Sequence, residues 1–455
     1  MKKNNRDGKG MSNTRDMTEG SIVRQILLFS IPMLIGNVFQ QLYNMVDSII
    51  VGQFVGADAL ASVGATSSIT FFFFALCNGI GSGGGIVTSQ SFGGHDDKRV
   101  RSCIANTGYI MIVFPIVIGT LAFCLARPLL IFLSTPENIL NDAVIYTRTM
   151  SVGLLFVSLY NYISSMLRAL GDSKTPLYFL IFSCLLNVVL DLLCVRTFNM
   201  GVYGAGLATI IAQFASGVLC IIYAFWKNAY FRLKREDLEF KKDMVWQTLR
   251  LGIPLSLQFS LIAISCMALQ KVVNAYGSVC VAAFTATSRI EQLVHQPYQT
   301  LSAALSTFCG QNYGAKKNDR VIKGYKKSML IMVIFTLIIL PVMQIFGDNI
   351  TSWFVSDAEV IAMGGRSLRI TSLFYIFLGM IYVVRGVLNG VGDAFFAMFN
   401  GIVEVIGRFT VPLLLTGIAA IGLWGIWWSV GVVWGLSGIT SWIRYLYQKK
   451  RVLKV

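Results

Sequence analysis

Charge is scarce in this sequence. Of its 455 residues 13% are Asp, Glu, Lys or Arg, 55% are hydrophobic, and two are histidine. A soluble globular chain is about one-quarter charged, so an ordinary water-soluble domain is excluded. Disulfide and metal spacings are also missing. The nine cysteines (Cys77, Cys103, Cys124, Cys184, Cys194, Cys220, Cys266, Cys280 and Cys309) form no CxxC pair. Most lie in apolar runs and read as small apolar filler. GIGSGGG at 79–85 resembles a phosphate loop but lacks the Lys-Ser/Thr that should follow. It reads better as small residues that let helices approach closely. No nucleophile–histidine pair and no large polar domain supports an enzyme or a receptor, and no cofactor is expected. The first twenty residues are polar and show no cleavable signal pattern.

Apolar sequence takes the place of all this, with a mean hydropathy of +0.66. Long runs recur at 22–51, 60–88, 104–126, 142–167, 176–196, 203–226, 247–276, 279–308, 327–346, 365–388, 395–417 and 421–446. Each is long enough for a bilayer-spanning helix, which needs about 20 residues. The net charge of +16 does not point to nucleic acid, because the basic residues gather in alternate links. One set holds Lys98, Arg99 and Arg101; Arg168 and Lys174; Lys227 to Lys242; Lys316 to Lys327; and both tails. The other set, such as LSTPENILND and FGDNITSWFVSDAEV, is nearly free of lysine. The positive-inside bias then puts both termini in the cytoplasm.

The two halves repeat. SQSFGGHDDKRV at 89–100 matches GQNYGAKKNDRV at 310–321, MLRALGD at 166–172 matches VLNGVGD at 387–393, and MGVYGAG at 200–206 matches IGLWGIW at 421–427, all at an offset of 221 residues. Each copy holds six spans, an even number, so both copies run the same way through the bilayer. The expected fold is an all-α integral membrane protein: twelve transmembrane helices in two six-helix lobes related by a pseudo-twofold axis along the membrane normal. Its parts are a disordered cytoplasmic tail (1–20), an N-terminal lobe (21–226), a cytoplasmic linker (227–244), a C-terminal lobe (245–446) and a basic tail (447–455).

Acids inside the spans mark the candidate sites, because a carboxylate at membrane depth costs about 3 kcal/mol or more on insertion scales. In the first span Gln40, Asn44 and Asp47 share one helical face. In the fifth, Asn187 and Asp191 stand one turn apart, and the sixth adds Thr209 and Gln213. Asp47, Asn187, Asp191 and Thr209 are expected to form an oxygen cluster within one lobe. Two carboxylates close together in low dielectric take up a proton or share a cation. An inert polar network is the alternative. The repeat puts Arg408 and Pro412 where Asn187 and Asp191 stand. The second half has its own charges, Arg289, Glu291, His295, Glu404 and Arg408. Glu404 and Arg408, four apart, are expected to pair. Glu291, Glu404 and Arg408, with Gln40, Asn44 and Gln213, are candidate substrate-cavity residues.

SIPMLIGN, MVDSIIVG, the QSFGG and QNYGA loops, LRALGD, and NVVLDLL followed by GVYGAGLAT together resemble the multidrug and toxic compound extrusion (MATE) transporters. The resemblance covers nearly the whole chain beyond its N-terminal tail. It implies a twelve-helix antiporter that expels organic cations on a proton or sodium gradient, by alternating access. It also implies that Asp47 is central to coupling and that Asn187, Asp191 and Thr209 join it, as a proton site or a Na+ site. A Glu that another branch of the family carries in the seventh span has no counterpart in the apolar stretch around Ile262. The remaining expectations are cationic amphipathic small-molecule cargo, no nucleic acid, and a monomer among the lipids of the plasma membrane. The rival transport function is flipping of lipid-linked precursors, as in a related carrier class.

Overall fold

The computed structural model describes residues 13–133 and 135–451, and all regular structure in them is helical. The first half forms α1 (Ile22–Phe54), α2 (Ala57–Gly93), α3 (Asp97–Phe132), α4 (Glu137–Ala169), α5 (Lys174–Asp191) and α6 (Gly201–Lys227). A π-helical turn, Leu192–Thr197, continues α5. The second half forms α7 (Lys242–Asn274), α8 (Ser278–Gly314), α9 (Asn318–Ser352), α10 (Ala358–Ser372), α11 (Tyr375–Val391), α12 (Ala394–Thr416) and α13 (Gly425–Arg451).

The helix bounds repeat with the sequence. α2 and α8 are both 37 residues long and begin 221 residues apart. The single helix α4 corresponds to the α10–α11 pair, which bends by 53° at a short break. At that break the Phe374 ring lies against Gly431 of α13, where a Cβ would come within 2.2 Å of it.

Ten of the described helices are long and apolar enough to cross a membrane, and the bent pair makes an eleventh span. α8 has the length but carries Arg289, Glu291, Gln292, His295, Gln296 and Gln299 in its middle. With α8 counted there are six helical spans in each repeat, and the protein is a multi-pass membrane protein.

Polar turn residues set the helix ends. Asp96 accepts from Arg99 N at 2.9 Å, and Asp357 accepts from Glu359 N and Val360 N. These are N-cap bonds to otherwise orphaned amides. Gly171 and Gly392 sit at φ +83° and +91°, a region that glycine enters without strain. Asp172 and Asp393, which follow them, differ. Asp172 accepts from Lys174 N, Thr175 N and Thr175 Oγ1. Burial pushes its carboxyl above the usual range, and the Thr175 and Lys174 bonds offset part of this. Asp393 instead holds Arg444 at 2.8 Å and Gln448.

The chain divides into two compact units. Unit 1 comprises Ile31–Ser256 with the described part of Met1–Met17; unit 2 comprises Thr18–Ser30 and Leu257–Val455. In unit 1, α2 packs on α3 and α4, and α4 on α6. The glycine run of α2 works by close approach, as expected. A Cβ on Gly79 would lie 2.2 Å from Ser256 N, and one on Gly83 would lie 2.5 Å from Gly252 N. Residues 228–241 lie along α3: Asp237 meets Arg101 at 3.1 Å, and Asn106 bonds Glu239 O and Lys241 N.

The expectation of a disordered tail over residues 1–20 needs correction where the tail is described. Arg15 N donates to Leu170 O, Asn13 bonds Thr175, and Met17 and Thr18 are each 1% exposed. Gly171 makes room for this, since a Cβ there would fall 2.2 Å from Arg15 O. Residues 1–12 of the tail, and 452–455 of the basic tail, lie outside the described residues. In unit 2, Lys317 Nζ donates to Thr18 O and Arg320 to Gly20 O. There α8 packs on α11, α9 on α10 and α12 on α13.

Candidate functional site

In unit 1 three helices bring the sequence-selected residues together. α1 supplies Asp47 and Tyr43, one turn apart, α5 supplies Asn187 and Asp191, and α6 supplies Thr209. Asn187 Nδ2 donates to Thr209 Oγ1 at 3.3 Å, and the Tyr43 hydroxyl lies 3.5 Å from the same oxygen. Thr209 in turn donates to Ala205 O. The Asp47 and Asp191 carboxyl groups face each other at hydrogen-bonding range. Asp191 is wholly buried, Asn187 is 2% exposed, and Asp47 Oδ1 is buried without a hydrogen-bond partner.

Local sequence explains this placement. The 187/191 spacing puts both α5 side chains on the same face. The π turn starts at the residue after Asp191; such wide turns often sit at functional sites. Gln40, Tyr43, Ser183, Asn187, Thr209 and Gln213 line a narrow cleft beside the pair. Gln40 and Asn44 are exposed on α1, on the surface of the unit.

Two members of the cluster were not singled out from sequence. Tyr43 was legible, being four residues before Asp47. Tyr146 of α4 interacts electrostatically with both carboxyls. It sits in a run of ordinary span residues with no local signal.

In unit 2 the expected pairing of Glu404 with Arg408 is wrong. Glu404 Oε1 is held by Arg385 of α11 at 3.0 Å and by Ser437 of α13 at 3.3 Å. α12 turns Glu404 inward, 5% exposed, toward partners on neighbouring helices that spacing along one helix cannot reveal. Arg408, one turn later, reaches α7, where its Nη1 contacts Cys266 Sγ at 2.9 Å. Glu291 Oε1 and His295 Nε2, on successive turns of α8, are buried without hydrogen-bond partners. The His295 ring lies 5.6 Å from that of Trp434 and 6.2 Å from that of Tyr382. Arg289 is exposed. The structure thus places Glu404 in an ion pair with Arg385, and Arg408 on Cys266, apart from each other's side chains.

Comparison with known proteins agrees with these two units. The MatE family model matches residues 32–193 and again 254–421, once in each repeat. The probable multidrug resistance protein YpnP of Bacillus subtilis is 30% identical over 97% of this chain and 98% of its own length. The probable multidrug resistance protein YoeA of the same organism is 26% identical over 97% of this chain and 98% of its own. A crystal structure of MATE in complex with MaL6 superposes with a TM-score of 0.91, at 21% identity, over 98% of this chain and all of that one.

Proposed function

Since the chain belongs to the MatE family of multidrug efflux transporters, we propose that it exports cationic amphipathic molecules by proton or sodium antiport. The observation that carries the reading is the facing of Asp47 and Asp191 in a buried setting. Two ionised carboxylates at that range repel, so the pair holds a proton or a monovalent cation between them. Asn187, Thr209 and Tyr43 supply neutral oxygens around it. Such a donor set suits a proton or a hard cation such as Na+.

Coupling follows if the ion and the cargo favour different conformations of the protein. A ligand shifts a conformational equilibrium only through differential affinity. The moving bodies are the two six-helix lobes, 21–226 and 245–446, with both termini in the cytoplasm. Gln40, Asn44 and Gln213 contribute polar cavity lining near the pair. Cationic cargo fits the acidic character of the unit 1 cluster, and the word multidrug in its relatives' names fits a broad range.

The test is efflux of a lipophilic cationic dye from cells lacking their own pumps, with the proton and sodium gradients collapsed in turn. Loss of efflux with one of them supports antiport and names the ion. Efflux that survives collapse of both contradicts it. Movement of anionic lipid-linked sugars by the purified protein, without movement of cationic dyes, would replace it with the flippase reading.

A further inference from the structure

The last turns of α6 and α13 share a surface feature that the coupling site does not use. On α6, Ile222, Phe225 and Trp226 are exposed; on α13, Ile443, Leu446 and Tyr447, each 221 residues later, are exposed as well. Spacings of three and four put each trio on one helical face. Each face is an apolar stripe that ends in Trp or Tyr, the rings that favour the membrane–water interface.

Cations sit on both rings. Lys227 Nζ lies 3.9 Å from the centre of the Trp226 ring, and Arg232 Nη2 donates to Trp226 O at 3.0 Å. On α13 the guanidinium groups of Arg444 and Arg451 lie 5.2 Å and 5.7 Å from the centre of the Tyr447 ring, and Arg451 Nη1 donates to the Tyr447 hydroxyl. The cations come from different places in the chain, one and six residues after Trp226 but three before and four after Tyr447. The sequence repeat alone therefore does not account for the shared arrangement.

The loop that carries Arg232 is anchored from within the unit. Phe231 is fully buried, Asn228 donates to Thr14 and accepts from Tyr230 N, and the Tyr230 hydroxyl donates to Asp97. Arg232 is thereby held against the carbonyl end of α6, whose partial negative charge it offsets. That bond uses one of five guanidinium N–H donors. The nearby linker carboxylates are engaged elsewhere, Asp237 with Arg101 and Glu236 with Lys98. Among the described residues Lys227, Arg232 and Arg451 have no carboxylate in ion-pair range, whereas Arg444 is held by Asp393. Cations left open beside an exposed apolar stripe suit a ligand that is anionic at one end and apolar along its length.

We propose that the end of the last span in each repeat binds an anionic phospholipid. An acyl chain lies along the stripe, and the phosphodiester meets Lys227 and Arg232 on α6 or Arg451 on α13. A zwitterionic headgroup brings its own ammonium to the same cations and is disfavoured. Assignment to the cytoplasmic leaflet rests on the orientation proposed for the termini; the sites themselves do not.

The experiment counts phospholipid on the purified full-length protein by native mass spectrometry in a nonionic detergent. Phosphatidylglycerol and phosphatidylcholine with the same acyl chains are titrated in turn. Two molecules of phosphatidylglycerol are expected to bind about tenfold more tightly than phosphatidylcholine, since each basic side chain at a membrane surface adds to the attraction. Lys227→Gln with Arg232→Gln should lose one of them, and Tyr447→Leu with Arg451→Gln the other. Each variant keeps the remaining molecule, which reports that it is folded. Lys316→Gln with Lys323→Gln removes as much charge from exposed positions outside both sites. Lys323 is two residues from Tyr325 and so points away from the stack of Tyr325 on Tyr445 of α13. That control should keep both molecules. Equal binding of the two lipids by the native protein overturns the sites, and so does tight phosphatidylglycerol binding that the site variants leave unchanged. An equal loss in the control shows diffuse attraction by net charge and overturns them too. Counting in detergent does not depend on leaflet, so failure here is distinct from failure of the orientation.

Discussion

At the scale of the residue, the buried charges fall into two kinds. Arg385 and Glu404 satisfy each other, and Ser437 adds a further bond. Removing one partner leaves an uncompensated buried charge, at a cost of about 3–5 kcal/mol, while apolar replacement of both is close to neutral. Glu404→Ala should therefore lower the melting temperature of the purified protein sharply, and Arg385→Met with Glu404→Leu should recover most of it. In the Asp47–Asp191 pair the two carboxyls face each other, and there a neutral amide should be easier to bury than the acid. Asp47, Asn187, Asp191 and Thr209 were legible from sequence because polar atoms at helical spacing in an apolar run declare a shared face. Arg385 and Tyr146 were not. What marks each one out lies on another helix, Glu404 for Arg385 and the two carboxyls for Tyr146. The same limit explains the misassigned Glu404. Spacing of four residues permits pairing with Arg408, but the rotation of α12 offers Arg385 first.

At the scale of the element, helix ends follow the 221-residue repeat closely, because the turn glycines recur with it: Gly56 with Gly277, Gly171 with Gly392 and Gly201 with Gly422. The exceptions have no sequence marker: the π turn after Asp191 and the break between α10 and α11. Neither contains a proline or a glycine. The π turn is expected to fix how Asp191 presents to Asp47. Deleting Leu193 should tighten Leu192–Thr197 toward regular α-helix and rotate the segment after Asp191. Transport should fall to background while the protein still reaches the membrane at normal level, as measured by immunoblot of membrane fractions beside dye efflux. Helix packing is just as local. The backbone of α2 meets that of α7 at Gly79 and Gly83. Gly83→Val forces these backbones apart, and overpacking of this kind costs about 1–3 kcal/mol. Thermal unfolding should register it, with a smaller loss for Gly85→Ala, where the nearest atom is 3.4 Å away.

At the scale of the whole molecule, the apolar runs and the 221-residue repeat describe a two-part membrane protein, and this much was legible in the sequence. Direction of transport and choice of ion were not, because they depend on energy differences between conformations that one sequence does not encode locally. The basic links should all lie on the cytoplasmic side. Single cysteines at Lys98 and Lys316, in an otherwise cysteine-free background, should react with an impermeant maleimide only after the membrane is opened; labelling of intact cells would contradict the orientation. The central claim is that the Asp47–Asp191 pair couples ion to cargo. Its most direct test is transport of a lipophilic cationic dye by purified protein in liposomes, with a proton gradient and then a sodium gradient imposed. The native protein should accumulate dye on one of the two. Asp47→Asn and Asp191→Asn should each elute as folded protein and lose gradient-driven accumulation at least tenfold. Full ion-driven transport with unchanged pH dependence in either variant would contradict the account.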